Sequence, residues 1–363
     1  MLRFPEDLLR SRYRRFQEAI RSRGLDAAVV RTLSTFIYLT GIKWLRPALI
    51  VPAEGDPVAF VARGEEVGFR EMTWVRNVET FTEGGELMGK VSGFLRSINA
   101  KKVGLEFGVE RDAYIFFYET FKRLNKDVEV VDISDVVDGL RIYKDDLEKQ
   151  YIREAGRRAR TALEKAVDTV KPGVSETEIA AEAYSALYRL GSEEPLVYVN
   201  AGPHPRIHGE PLSTVRVREG TTVTIVVNAD YFRYYANKSL SVPVGELSEV
   251  GRKAVKCMDE AFEVAVRETR PGVKFVEVMK KLDEVYTRYG MLEHRVLGYT
   301  HSVGLKVEET PITTIVPKHR FMEVKPSMTL AFIHAPIVIP GIGQVKKEET
   351  FIVREDGSLE QVT

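Results

Sequence analysis

The stretch DDLEKQYIREAGRRARTALEKAVDTVKPGVSETEIA, from Asp145 to Ala180, decides the organisation of this chain. Its apolar residues recur at helical spacing from Leu147 to Val170, and Lys171-Pro172-Gly173 then ends the helix. Ser175 and Glu178 form a capping box, which predicts a second helix directly after the first. Two adjacent helices therefore open a domain at about residue 147.

Upstream of this point the sequence alternates between strand and helix patterns. Apolar and β-branched runs predict strands at Asp26–Arg31, Lys102–Phe107 and Asp127–Val131, with helical patterns between them. The polar segment Asp138–Asp146 separates this region from the two helices. We therefore predict a small α/β domain over residues 1–140 and a second domain over residues 147–363.

Downstream of the two helices, strand patterns return at Val223–Tyr235 and Lys238–Val244. Two further helical patterns follow, and strands come back after Met328. This order places antiparallel strands under a layer of helices and predicts an α+β domain. The sequences KPGVSETEIA and RPGVKFVEVM, which begin at Lys171 and Arg270, suggest that one helix-loop-helix element is used twice.

Composition and charge exclude several classes of function. Lys plus Arg and Asp plus Glu both number 53, so the chain lacks the basic character of nucleic-acid-binding proteins. No window reaches the ~18 apolar residues of a membrane span, and the single cysteine, Cys257, cannot form an intrachain disulfide. We expect a cytoplasmic protein with neither a nucleic-acid nor a membrane partner.

Several separated stretches, in a fixed order, resemble the family of creatinases, prolidases and proline-specific aminopeptidases. They are FIYLTGI, PALIVPAEGDPVAFV, NAGPHPRIHGEP, THSVGLKVEETP and IPGIGQVKKEETFIVREDG, and together they span nearly the whole chain. The resemblance implies an α/β N-terminal creatinase-like domain plus an α+β pita-bread C-terminal domain. It also implies a homodimer, because creatinase-like members pair so that the first domain of one subunit covers the pocket of the other.

Metal-dependent members of this family hold two divalent ions with two Asp, one His and two Glu side chains. Transferred to this sequence, the first Asp position falls at Val226, which cannot coordinate, and the second falls at Asn237, a weaker neutral donor. The histidine is present as His301, and the last glutamate is present as Glu348. The resemblance therefore implies that most of the dinuclear ligand set is missing.

The position of the first family glutamate falls at Ile333 or, as the better fit, at His334. Neither residue is a carboxylate, so we predict no dinuclear metal centre, no resident metal and no other cofactor. One alternative stays open, because a single ion could be held by a new His and carboxylate set if its members converge. That set is His208, His301, His334 and Glu348.

Candidate site residues follow from the motifs that remain. His208 matches the family's pocket histidine, and Glu308 stands where the family has a second histidine. An imidazole with an ordinary pKa of ~6.5 is suited to proton transfer at neutral pH. We assign catalytic roles to His208, His301 and Glu348, and substrate-binding roles to His204, Glu309, His334, Trp44 and Arg46.

These residues favour a metal-independent hydrolase that acts on a small peptide or on an amidino or amino-acid-like C–N bond. In that interpretation His208 moves the proton, and chelators leave the reaction unchanged. One alternative is a catalytically silent peptide-binding or scaffolding protein, which needs none of these polar groups. The other is a conventional Xaa-Pro dipeptidase or aminopeptidase, against which the loss of both aspartates argues. In each active case the partner is a small molecule or short peptide.

Overall fold

The computed structural model describes residues 3–44, 48–108, 110 and 114–363. The chain divides into two compact units, Met1–Arg141 and Ile142–Thr363. The segment before the long central helix belongs to the second unit, because Ile142 packs in its core and Lys144 forms an ion pair with Glu309.

The N-terminal unit is a mixed six-stranded sheet with helices between the strands. Its helices are α1 (Glu6–Ser22), α2 (Leu33–Thr40), α3 (Glu66–Met72), α4 (Gly84–Ser97), α5 (Tyr114–Leu124) and α6 (Ser134–Arg141). Its strands are β1 (Ala27–Val30), β2 (Leu49–Pro52), β3 (Val58–Ala62), β4 (Asn77–Phe81), β5 (Lys102–Leu105) and β6 (Glu129–Asp132). They lie in the order β4-β3-β2-β1-β5-β6, and β1, β5 and β6 run parallel. The predicted α/β class is confirmed.

The C-terminal unit is an antiparallel sheet with four long helices. The helices are α7 (Asp146–Asp168), α8 (Glu176–Arg189), α9 (Glu249–Glu268) and α10 (Phe275–Arg288). The strands are β7 (Leu196–Ala201), β8 (Thr221–Tyr231), β9 (Tyr234–Val244), β10 (Thr300–Ser302), β11 (Glu309–Ile312), β12 (Thr329–Phe332), β13 (Ile337–Ile339), β14 (Gly343–Val345), β15 (Lys347–Val353) and β16 (Leu359–Gln361). The main sheet runs β11-β10-β12-β15-β9-β8-β7, with β16 beside β15, and β13 pairs with β14. The predicted α+β class is confirmed.

The predicted internal repeat is visible in the backbone. Gly173 and Gly272, the glycines of the two Pro-Gly pairs, have φ angles of +89° and +87°. Their amides donate at 2.9 Å to Val217 and Val324, respectively, so both turns are tied to a later strand-like segment in the same way. Since α8 and α10 begin directly after these turns, the two halves of this unit start from the same element.

One predicted strand is wrong in its extent. The sequence predicted a single strand over Val223–Tyr235, whereas the structure has a tight hairpin between β8 and β9. Phe232 and Arg233 form its turn with φ of 48° and 72°. Such two-residue turns usually carry Asn-Gly or Asp-Gly, so this sequence offered no turn signal.

The pairing of β8, β9 and β15 places Val226, Ser239 and Glu348 side by side. Ser239 of β9 lies opposite Val226 of β8 on one side and opposite Glu348 of β15 on the other. Successive side chains of a strand point to opposite faces, so Ile225 and Val227 enter the core under α7 and α8 while Val226 points the other way. One face of the sheet therefore packs on helices, and the opposite face carries the polar residues.

None of the helices in the described residues is long and apolar enough to cross a membrane. The single cysteine, Cys257, is buried on α9 in the core of the second half of the C-terminal unit. Burial raises the pKa of its thiol to about 12, so the thiolate form is suppressed at neutral pH. Cys257 is therefore an apolar packing residue.

Candidate active site

A cavity of about 210 Å³ lies in the C-terminal unit. It is far larger than the ~10–15 Å³ that one water needs and smaller than the ~300–1,000 Å³ of drug-sized sites. It is lined by Tyr198, His208, Val226, Asn228, Asn237, Val307, Glu308, His334 and Glu348. Val226 and Val307 supply the apolar side chains of that wall, and the remaining residues are polar.

Glu348 is the buried acid of the site. It is fully buried, and its Oε2 lies 2.9 Å from Nζ of Lys346, which is also buried. Burial alone would raise the pKa of Glu348, but Lys346 together with His301 and His334 holds it well below its ordinary range. Glu348 is therefore a carboxylate at neutral pH, with a fixed ammonium on one oxygen.

His301 is held on β10 by its own backbone neighbour. Its Nδ1 lies 2.9 Å from the carbonyl oxygen of Ser302, and its Nε2 lies 3.4 Å from Oε1 of Glu348. Complete burial lowers the pKa of His301, but Glu348 and Glu308 outweigh burial and raise it above its ordinary value. The imidazole is thus oriented towards Glu348.

His334 follows the end of β12 and enters the cavity because the backbone turns there. Ile333 has a φ of 58°, which places its side chain in the apolar core and directs His334 to the cavity wall. Nδ1 of His334 lies 3.4 Å from Oε1 of Glu348, and Nε2 lies 3.5 Å from Oε1 of Glu308. Burial and the charge of Lys346 lower the pKa of His334 to about 4, so this ring is neutral at pH 7.

His208 reaches the cavity from the loop between β7 and β8. The loop is fixed by Asn200, whose Oδ1 accepts hydrogen bonds from the Arg206 amide and from Gln344. The His208 ring lies 4.7 Å from the ring of His334, centroid to centroid. Burial and Lys346 lower the pKa of His208, so its neutral form, which can accept a proton, predominates at neutral pH.

Glu308 completes this side of the cavity from the loop before β11. Burial would raise its pKa, but the three imidazoles of His301, His334 and His208 outweigh burial and lower it. Glu308 is therefore ionised and lies within reach of two histidines. The sequence marked this position as a substitution but assigned it no role.

Four other predicted site residues are not among the described residues that line this cavity. His204 is exposed and, within the described part of the chain, does not line the cavity. Glu309 is paired with Lys144 at 3.2 Å and packs against Gly304, where a Cβ would lie 2.5 Å from its carboxylate. Trp44, in the N-terminal unit, donates to Glu65 at 2.7 Å. Arg46 lies outside the described residues.

The two positions at which we predict the family aspartates to fall, Val226 and Asn237, are both on the cavity wall. Val226 offers no donor atom there. The Nδ2 of Asn237 donates to the Val307 carbonyl at 3.1 Å, which leaves its Oδ1 without a hydrogen-bond partner among the described residues. Within the described part of the chain, the carboxylates of this wall are those of Glu308 and Glu348, so two adjacent divalent ions would lack the negative charge that holds such pairs together. The donors present do not fit a two-ion centre.

Sequence reasoning missed Lys346 and Glu308. Lys346 stands two positions before Glu348, so alternation along the chain could have placed both on one face. The contribution of Glu308 depends on the path of the loop between β10 and β11, for which the sequence gives no signal. The site thus contains an ion pair and a second acid that the motif pattern alone does not reveal.

A small α/β domain followed by a helix-backed antiparallel sheet with a His and Glu cavity defines the creatinase and prolidase class of two-domain proteins. The sequence model of metallopeptidase family M24 matches residues 150–355, and that of the creatinase/prolidase N-terminal domain matches residues 12–143. The chain belongs to metallopeptidase family M24, with the pita-bread fold in its C-terminal unit.

Similar proteins agree with this assignment. The chain is 23% identical to an Xaa-Pro dipeptidase of Pyrococcus horikoshii over 97% of both sequences. Its structure resembles the prolidase from Pyrococcus horikoshii OT3, with a TM-score of 0.86 and 22% identity over 97% of this chain and 98% of the other. It also resembles an Xaa-Pro dipeptidase from Bacillus anthracis, with a TM-score of 0.85 and 21% identity over 98% and 97% of the two chains. At these identities the solved structures establish the fold.

Proposed function

We propose that the chain hydrolyses short peptides at the amide C–N bond that precedes a proline, as an Xaa-Pro dipeptidase does. The observation that carries the proposal is the convergence of His208, His334, Glu308 and Glu348 on one cavity of the pita-bread domain. A relative named Xaa-Pro dipeptidase that aligns over 97% of the chain supports it. A cavity of about 210 Å³ favours a substrate of a few residues over a long peptide.

In this proposal His208 moves the proton. The oxygen of a water molecule bonds to the carbonyl carbon, the C–N bond breaks, and the water proton ends on the released proline nitrogen. A neutral imidazole can take that proton and deliver it, and the lowered pKa of His208 keeps the ring in that form. The unpartnered Oδ1 of Asn237 offers an acceptor to the amino group of the substrate.

No step in this proposal passes through a two-ion centre, because Val226 and Asn237 remove the donors that such a centre needs. A second candidate is a fully metal-independent hydrolase acting on the same cavity. The observation that favours it is the buried ammonium of Lys346, 2.9 Å from Glu348, which already supplies one positive charge. The two candidates share their substrate class and His208. They differ in that the first allows a single ion in the cavity to assist hydrolysis, so chelators should reduce its activity, whereas they should leave the second unchanged.

The test is an assay of the purified chain against Xaa-Pro dipeptides, guanidino acids and a non-proline dipeptide, with release of the product amino acid as the readout. We expect turnover of Xaa-Pro substrates and a decrease of kcat by ~10²–10⁴-fold in His208→Ala. His204→Ala is the matched control, because His204 belongs to the same loop and is exposed. It should retain full activity.

Turnover that is equal in the His208 and His204 variants would refute the assigned role of His208. Turnover of guanidino acids without turnover of Xaa-Pro dipeptides would refute the proposed substrate class. If none of the compounds is hydrolysed while Xaa-Pro peptides still bind, the chain is a peptide-binding protein and the proposal of hydrolysis is wrong. Activity that survives exhaustive chelation would favour the second candidate.

We also propose that the protein is a cytoplasmic homodimer, on the basis of family resemblance. Light scattering at micromolar concentration should give twice the mass of the 41.1 kDa chain. A mass equal to that of one chain would refute the dimer.

A further inference from the structure

Nε2 of His301 faces Oε1 of Glu348, and both atoms are acceptors when the imidazole is neutral. Because Nδ1 of His301 lies 2.9 Å from the Ser302 carbonyl oxygen, Nδ1 carries the hydrogen in the neutral ring and Nε2 carries the lone pair. Nε2 lies 3.4 Å from Oε1 of Glu348, and neither atom has a hydrogen-bond partner among the described residues. Two buried acceptors in contact are unfavourable. Either a proton on Nε2 or a cation held between the two atoms relieves this contact.

A second imidazole points at the same oxygen. Nδ1 of His334 also lies 3.4 Å from Oε1 of Glu348, and one ligand atom from each of the three residues lies within 4.8 Å of the others. In a tetrahedral zinc site, bonds of ~2.0–2.2 Å separate neighbouring donor atoms by about 3.4 Å. The two donor separations measured at Oε1 match that value, and the third, between the two imidazole nitrogens, is at most 4.8 Å.

The contacts around these three residues are those that orient metal ligands. A ligating histidine usually donates its other ring N–H to a carboxylate or a carbonyl oxygen. His301 has Ser302 in that position, and Nε2 of His334 has Glu308 at 3.5 Å. Lys346 binds Oε2 of Glu348 and leaves Oε1 for the ion. The ammonium therefore orients the carboxylate and does not occupy the proposed position.

We infer that His301, His334 and Glu348 form a mononuclear site for one divalent transition-metal ion of the zinc class. Two imidazoles and one carboxylate suit such an ion, whereas Mg²⁺ and Ca²⁺ prefer oxygen donors. A second cluster, His208 with Glu308 and His334, shares its central histidine with the first. One ring nitrogen of His334 then serves as ligand while the other contacts Glu308, so a single ion is bound.

This site would replace the family's two-ion centre with a different donor set. Three protein donors leave one position of a tetrahedral ion open, as in catalytic zinc sites. The inference deepens the proposed function, on whose cavity it rests. Ion binding is measured without a substrate, so failure of hydrolysis and failure of binding are separate results.

The experiment is a calorimetric titration of the full-length, chelator-stripped chain with Zn²⁺ and with Mg²⁺, together with the absorption spectrum of the Co²⁺ form. We expect one equivalent of Zn²⁺, no Mg²⁺ binding and a tetrahedral Co²⁺ spectrum. His301→Gln, His334→Gln and Glu348→Gln should each weaken Zn²⁺ binding by at least the ~10–100-fold that loss of a supporting contact costs. His294→Gln, on a histidine outside both clusters, is the matched control and should bind normally.

Circular dichroism of each variant checks that it is folded. Glu308 contacts the ring nitrogen of His334 that does not bind the ion. Glu308→Gln therefore keeps all three donors but weakens the contact that orients His334, and it should weaken Zn²⁺ binding by ~10-fold. Several results would overturn the inference: no Zn²⁺ binding by the folded wild-type chain, two tightly bound equivalents, or unchanged affinity in the three donor variants. An imidazole NMR spectrum in which Nε2 of His301 stays protonated in excess Zn²⁺ would also overturn it, because a proton would then fill the gap.

Discussion

The two halves of the C-terminal unit begin with the same turn and helix but contribute different chemistry to the cavity. The second half supplies the buried ionisable groups His301, His334 and Glu348. The first half supplies Val226 and Asn237, the positions at which we predict the family aspartates to fall. The backbone of the turn is therefore the same in both halves while the side chains at the cavity differ, because the turn depends on backbone geometry and each cavity group depends on a single side chain.

The cores of the two halves differ as well. The buried residues of the core beneath α7 and α8 are alanines and branched aliphatic side chains, such as Ala162, Leu163 and Ile179. The core beneath α9 and α10 uses large residues, with Phe332 stacked on Phe351 at 4.8 Å. The second half therefore buries larger individual side chains, and the loss of one of them should cost more stability than the loss of one aliphatic side chain in the first half.

The largest expected effect comes from restoring the missing acids. In the metal-free protein at pH 7, Val226→Asp with Asn237→Asp should lower the free energy of unfolding by several kcal/mol for each buried charge. Excess Mn²⁺ or Co²⁺ should recover that stability and raise the number of bound ions from one to two. Denaturant unfolding and metal analysis after dialysis measure the two effects.

The matched control for that variant is Val226→Asp with Asn228→Asp. It introduces the same two charges on the same cavity wall, but one of them stands on β8 directly opposite Asn237 instead of at residue 237 itself. It should destabilise the metal-free protein without gaining an ion. If both double variants bind two ions, or if neither does, then acids at residues 226 and 237 in particular are not what a second ion requires.

The next largest expected effect is the loss of stability when a large core side chain is removed. Phe332→Ala should lower the free energy of unfolding by ~3–5 kcal/mol, because a fully buried ring is removed from between close neighbours. Val227→Ala, in the first-half core, should cost only ~2 kcal/mol, since it removes two methyl groups at about 0.8–1 kcal/mol each. Urea unfolding of both variants measures the contrast, and equal losses would contradict it.

A smaller effect follows from the pKa of His334, which is about 4 in the folded chain. In metal-free protein the unfolded chain takes up a proton as the pH falls below ~6.5, while folded His334 does not. Its contribution of about 3 kcal/mol is therefore complete above pH 6.5 and is lost as the pH falls towards 4. His334→Gln should reduce the slope of unfolding free energy against pH in that window, whereas an unchanged slope would show that another group titrates there.

His301 should act in the opposite direction. Its folded pKa is raised, so the stability linked to its proton is present below pH 6.5 and is lost as the pH rises through the folded value. The two neighbouring histidines therefore affect different pH ranges. Comparing His301→Gln with His334→Gln over pH 4–8 distinguishes them.

Much of this arrangement could be predicted from the sequence. The two-domain class, the repeated turn and the presence of His301 and Glu348 followed from motifs whose spacing is read along the chain. The register between Ile333 and His334 could not be decided, because it depends on one residue with positive φ after β12. The pairing of Lys346 with Glu348 and the approach of Glu308 to His334 depend on folded geometry, which local patterns do not encode.

The smallest expected effect tests the shared helix start of the two halves. In the first half Ser175 accepts from the Glu178 amide at 3.3 Å and donates its own amide to that carboxylate at 2.8 Å. In the second half the equivalent residue is Lys274, whose amide donates to the Glu277 carboxylate at 3.4 Å but whose side chain has no oxygen to accept from the helix. Ser175→Ala should lower the free energy of unfolding by ~1 kcal/mol, and Lys274→Ser should raise it by up to ~1 kcal/mol by supplying the missing oxygen acceptor.

Urea unfolding measures both changes, with Lys274→Ala as the control for loss of the lysine. If the serine and alanine variants at position 274 are equally stable, the missing cap is not what distinguishes the two helix starts.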